Sequence, residues 1–146
     1  MSSIDGLAMK EYKTITDISK WDGELCLPKR ITIETIFGCN AKCLMCVIDL
    51  PTPRKKGVMP FDTFCKIVDS LAPYSSQFQM CDLFGLGEPL LDPHIFERMK
   101  YVKANGFKNL AISTNADLLN EDKQRALLET GIDTVLFSVD GTTKEV

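Results

Sequence analysis

A chain of 146 residues is long enough for one compact domain with a buried core, and its apolar fraction of 45% beside a charged fraction of 25% is that of an ordinary globular protein. A formal net charge of -3, with both signs interspersed, offers neither a basic stripe for nucleic acid nor an acidic tail. No apolar run approaches the roughly 20 residues of a membrane span, and no apolar block follows a basic start at the N-terminus. The expected compartment is therefore the reducing cytoplasm, where cysteines more often bind metal or pack in a core than pair as disulfides.

Residues 1–30 show no sustained period and read as an N-terminal extension, with Trp21, Leu25 and Leu27 available to pack on a later surface. The alternation in 31-ITIETI-36 predicts a strand, feeding 37-FGCNAKCLMC-46 and then a turn-rich basic loop, 51-PTPRKKG-57. Phe61, Phe64, Cys65, Val68, Leu71 and Ala72 recur at helical spacing and predict a helix over 61–74 that Pro73 stops. A second strand is expected in 80-MCDLFGLG-87. A second helix follows in 92-DPHIFERMKYVKANG-106, with Asp92 at its N-cap, Pro93 at its first position, Gly106 past its end, and Phe96, Met99 and either Val102 or the stem of Lys103 facing the core. Next come a strand at 109–114, a helix over 121–130 capped by Asn120 and ended by Gly131, and a strand at 134–139.

Short apolar strands alternating with amphipathic helices predict an α/β fold of parallel βα units. Four strand–helix steps do not close a barrel, so residues 31–146 read as part of an incomplete (β/α) barrel. Its last strand would leave an unpaired edge, which suggests the N-terminal portion of a longer protein.

Of six cysteines, Cys39, Cys43 and Cys46 fall within eight residues of one post-strand loop. Polar neighbours Asn40 and Lys42 make an inert core role a poor account, and an odd number makes disulfides a poor one. Structural zinc usually takes four ligands in two spaced pairs, so zinc is a minority reading. An iron–sulfur cube suits thiolates, and three of them leave one iron with an open position of the kind a catalytic centre needs. The remaining candidates are bland. Cys65 and Cys81 read as core, Cys26 lies in the irregular extension, His94 sits in a first helical turn, and Arg54, Lys55 and Lys56 form a solvated run able to meet an anionic partner.

The order strand, C-x3-C-x2-C loop, helix, strand, 85-GLGEPLLDP-93, strand, 113-STN-115, strand, 138-SVDG-141 resembles the radical S-adenosylmethionine (radical SAM) superfamily. The Ser-Val-Asp-Gly motif is similar to that of the branch carrying SPASM or twitch-type C-terminal extensions with auxiliary clusters. The resemblance implies that Cys39, Cys43 and Cys46 hold a [4Fe–4S] cluster whose fourth iron chelates the amino and carboxylate groups of SAM. It further implies reductive cleavage of SAM to a 5′-deoxyadenosyl radical that abstracts hydrogen from a peptide or small molecule. An electron donor such as flavodoxin or ferredoxin would feed the cluster. By the same resemblance Gly87 and Glu88 approach the methionyl amine, while Ser113, Asn115 and Ser138 contact the methionyl carboxylate or the ribose. For Asn115 and for Asp140-Gly141 a plain turn role is the competing expectation. Leu86, where a glycine is common, and Met45, where an aromatic is common, depart from the family pattern. The alternative function is a truncated, non-catalytic iron–sulfur or zinc-binding α/β module.

Overall fold

The computed structural model describes residues 28–139 and Gly141. The expectations for Trp21, Leu25, Cys26, Leu27 and Asp140 fall outside the described residues. Four parallel strands form the main sheet: β1 (Arg30–Thr32), β4 (Met80–Asp82), β5 (Leu110–Thr114) and β6 (Thr134–Phe137), in the spatial order β1–β4–β5–β6. Each step between neighbours is carried by one helix, α1 (Phe61–Leu71), α2 (Ile95–Ala104) or α3 (Glu121–Leu128). A parallel pair needs such a crossover, and every crossover returns the next strand in the same direction. All four strands therefore end at one rim. This is the predicted incomplete barrel of βα units.

The expected single strand at 31–36 is two. β1 pairs with β4, Ile31 lying opposite Cys81, and the Ile33 N–H still reaches the Asp82 carbonyl at 2.8 Å. The chain then leaves the sheet. β2 (Ile36–Phe37) pairs antiparallel with β3 (Gly57–Val58), which begins at the last residue of the stretch expected to be a loop, and the Met59 N–H donates to the Thr35 carbonyl at 2.8 Å. Alternation reports which face is buried, and it persists when a strand changes partners. The small hairpin β2–β3 brackets the cysteine loop at both ends.

The core joins all three helices to the sheet. Phe64 and Val68 of α1, Met99 and Val102 of α2 and Leu127 of α3 meet Ile33, Cys81, Leu83, Leu110 and Ile112. Phe78 and Phe107, both buried, stack with ring centroids 5.8 Å apart beneath them. On β5 the alternate positions Ala111 and Ser113 look the other way, into the barrel interior.

Helix ends differ from expectation in informative ways. α1 stops at Leu71, and the chain tightens into a 3-10 turn over Ala72–Gln77 with Pro73 in its first turn. α2 begins at Ile95 rather than at Pro93. Asp92 still bonds the His94 N–H at 2.9 Å, but it lies in the turn before the helix. Its carboxylate is buried because Arg98, itself 0% exposed, lies beside it with Nε 2.8 Å from Oδ2. The Arg98 guanidinium also donates to the Met59 carbonyl and packs over the rings of Phe64 and Phe61, 4.9 and 5.4 Å from their centroids. Asn120 caps α3 as expected, accepting from the Lys123 N–H at 3.0 Å, and Gly106 and Gly131 end their helices at φ of 85° and 72°.

Candidate functional site

The rim where the four strands end is concave. The cysteine loop contributes Cys39, Ala41 and Cys43, the loop after β4 contributes Gly85 to Glu88, the end of β5 contributes Ser113, Thr114 and Asn115, and Ser138 follows β6. The parallel register builds this convergence. Thr114 lies opposite Phe137, and the Ser138 N–H continues the ladder to the Thr114 carbonyl at 2.9 Å. Among the described residues, Cys39, Cys43, Gly87, Glu88, Ser113, Asn115 and Ser138 all line this concavity, while Cys46 of the same loop does not.

Two contacts set the shape of the loop after β4. The Glu88 N–H donates to the Gly38 carbonyl at 2.9 Å, drawing this loop against the chain entering the cysteine loop. At Gly87 a Cβ would overlap the Ile36 carbonyl oxygen and lie 3.0 Å from that of Gly38. Both obstacles are backbone, so only glycine fits there. Gly85 is close-packed for another reason: its missing side chain leaves room for Glu34, whose Oε1 accepts from the Leu86 N–H at 2.7 Å. The second oxygen of Glu34 is ion-paired with Arg54, which also stacks over Phe37, 4.1 Å from the ring centroid. Lys56 pairs with Asp49. Two members of the basic run thus act within the chain.

Glu88 is buried, with its carboxylate committed locally. Oε1 accepts from the Thr114 hydroxyl at 2.7 Å and the Leu90 N–H at 3.0 Å, and Oε2 accepts from the Asn115 N–H at 2.8 Å. It is a clamp between the loop after β4 and the end of β5. We predict that Glu88→Gln, which sets an amide N–H against one of those donors, lowers the unfolding free energy by about 1–3 kcal/mol. Urea denaturation measures this, and an unshifted midpoint would remove the clamp role.

Asn115 does not take the left-handed backbone for which a turn role would have used it. That conformation belongs to Ala116, at φ 63°. The turn is closed by side chains: Asn115 Oδ1 accepts from the Asp117 N–H at 3.1 Å, and Thr114 Oγ1 accepts from the Ala116 N–H, also at 3.1 Å.

None of the five described cysteines is in a disulfide. In the cluster loop the Cys46 N–H donates to the Cys43 carbonyl at 3.0 Å, folding the last two cysteines into one turn, and buried Ile48 anchors the loop beyond them. Cys39 Sγ accepts from the Ala41 N–H at 3.4 Å and from Asn115 Nδ2 at 3.7 Å. Among the described residues no three His, Cys, Asp or Glu side chains converge on the position of a single metal ion. A cube makes a different demand, since each thiolate takes its own iron and the ligands surround the inorganic core. The donor set fits that demand: three thiols on one loop, two of them open to the concavity, with N–H groups directed at sulfur. Cys81 is of another kind. Burial, helped by the neighbouring Asp82 carboxylate, pushes its thiol up to about 12, so it stays protonated and inert.

The sequence pattern of the Radical SAM superfamily matches residues 33–146. This chain belongs to the radical SAM superfamily. Among its relatives, the tungsten-containing aldehyde ferredoxin oxidoreductase cofactor-modifying protein of Pyrococcus furiosus is 35% identical over 112 residues, covering 77% of this chain and 31% of that protein. A probable GTP 3′,8-cyclase of Methanococcus maripaludis is 31% identical over 102 residues, covering 70% of this chain and 33% of the relative. The crystal structure of BtrN in complex with AdoMet and 2-DOIA superposes with a TM-score of 0.70 at 22% identity, covering 80% of this chain and 48% of that one. The likeness to BtrN is one of fold. This radical SAM chain spans about a third of the length of the curated relatives it matches.

Sequence reasoning missed two contributors to the site. Glu34 lies in the 31–36 alternation and Thr114 in the 113-STN-115 motif, but neither stood out as a site residue. A carboxylate placed before a glycine-rich rim carried no local signal, because its partners Arg54 and Leu86 are 20 and 52 residues away.

Proposed function

We propose that this chain is the cluster-binding N-terminal part of a radical SAM enzyme. Cys39, Cys43 and Cys46 would hold a [4Fe–4S] cluster, and the loop after β4 with Ser113, Asn115 and Ser138 would receive SAM beside it. The observation that carries the reading is the gathering of four sequence-distant motifs at one rim of a parallel sheet, the end at which βα barrels do their chemistry. When bound, the cluster and SAM together supply reductive cleavage of the sulfonium to a 5′-deoxyadenosyl radical; the chain's own residues bind, orient and shield. Gly87 lets the backbone approach closely, Glu88 holds the rims of β4 and β5 together, and the exposed side chains of Leu44 and Met45 border the cluster loop on the solvent side.

The substrate, a peptide or a small molecule, and the reaction completed on it belong to this proposal. So do a cytoplasmic setting, a flavodoxin- or ferredoxin-type electron donor, and a C-terminal extension of SPASM or twitch type. Anaerobic reconstitution with iron and sulfide is expected to give a brown protein that releases 5′-deoxyadenosine from SAM under dithionite. Zinc without acid-labile sulfide would overturn the reading, as would a cluster that leaves SAM intact in the complete protein.

A further inference from the structure

Asn115 stands where the motif directs it toward bound SAM, yet its side-chain amide is already engaged. Nδ2 donates to Cys39 Sγ at 3.7 Å and to Asn40 Oδ1 at 3.1 Å, while Oδ1 accepts from the Asp117 N–H at 3.1 Å. Asn40 is tied down in turn, its Nδ2 donating to Asp117 Oδ2 at 2.7 Å. The Asn115 backbone is fixed from the other side by Glu88 Oε2. The amide plane is therefore held at both ends, and the orientation it keeps points an N–H at a cluster-ligating sulfur. Ala41 supplies a second, backbone donor to the same atom.

A sulfur that accepts hydrogen bonds surrenders electron density, and this stabilises the reduced, more negative form of a cluster more than the oxidised form. Resting on the function proposed above, we propose that Asn115 is a positioning residue for the cluster: its side-chain N–H orients the Cys39 thiolate and raises the cluster's reduction potential, independently of SAM. Of the two N–H donors to Cys39, Asn115 is the one a side-chain substitution removes. It comes from a different strand than the cysteine loop, so it also ties the cluster loop to the end of β5.

The test is a redox titration of the reconstituted complete protein without SAM, the reduced cluster followed by its electron paramagnetic resonance signal. Asn115→Ala and Asn115→Asp are compared with wild type at equal iron content. Asn115→Asp keeps the shape and the acceptor for Asp117 while removing the donor, and it adds a negative charge that lowers the potential further, so the neutral Asn115→Ala carries the size of the hydrogen-bond effect. The expected result is a three- to tenfold smaller reduced-to-oxidised ratio at fixed potential in Asn115→Ala, about 30–60 mV downward for one electron, and a larger drop in Asn115→Asp. An unchanged potential in either variant overturns the proposal, and SAM affinity lost at that unchanged potential identifies Asn115 as a cofactor contact instead. Wild-type protein that takes up no cluster overturns the radical SAM reading itself, and this proposal with it.

Discussion

Cys43→Ala is expected to lose the brown chromophore and acid-labile sulfide to background on anaerobic reconstitution, whereas Cys65→Ala keeps both. Cys43 is the exposed member of the loop and opens on the concavity beside Cys39. Its removal leaves two thiolates for a body that needs three corners held. The other described cysteines cannot substitute. Cys65 lies half-buried on α1, and Cys81 is sealed in the core with its thiol held protonated. The loop itself should survive, because the turn it makes uses the Cys43 carbonyl and the Cys46 N–H, which alanine retains. Loss of iron at unchanged far-ultraviolet circular dichroism is therefore the specific outcome. A full cluster in Cys43→Ala would break the ligand assignment.

The largest effect on stability is expected at Arg98. Arg98→Leu strands the Asp92 carboxylate, with no counter-charge in a site closed to water, and should lower the unfolding free energy by about 3–5 kcal/mol. The pair is close but poorly aligned for a hydrogen bond, so charge more than bond geometry holds it. A well-packed apolar substitute for both partners is often neutral, since neither charge is then desolvated. The double variant Arg98→Leu with Asp92→Leu should thus regain all but about 1–3 kcal/mol, the remainder being the Asp92 bond to the His94 N–H and the Arg98 bond to the Met59 carbonyl. Urea denaturation of the two single variants and the double variant measures the coupling. Additive losses would show that the charges do not act as a pair.

How much of this was legible beforehand depended on the range of the signal. Local periodicity located α1, α2, α3 and the strands of the main sheet, because each rests on side chains a few residues apart. The motifs located the site, since each follows its strand directly. What failed was partnership. The 31–36 alternation concealed the switch from β4 to β3, a strand began at Gly57 where a loop was expected to end, and the core face of α2 takes in Ile95 and Arg98 beside the expected Phe96, Met99 and Val102. An arginine on an apolar face is read as an edge until a buried acid is known to meet it, and that acid looked like a helix cap. Glu88 was similarly legible as a motif residue, but not as one whose carboxylate accepts from Thr114, Leu90 and Asn115.

The arrangement around Glu34 joins a solvent-facing segment to the chemistry. One carboxylate grips Arg54 with one oxygen and the Leu86 N–H with the other. The basic stretch after the cysteines and the glycine-rich stretch after β4 consequently behave as a single mechanical piece, although 32 positions separate Arg54 from Leu86 along the chain. An engineer treating residue 54 as decorative surface would be adjusting one wall of the concavity in which the sulfonium ligand is proposed to rest.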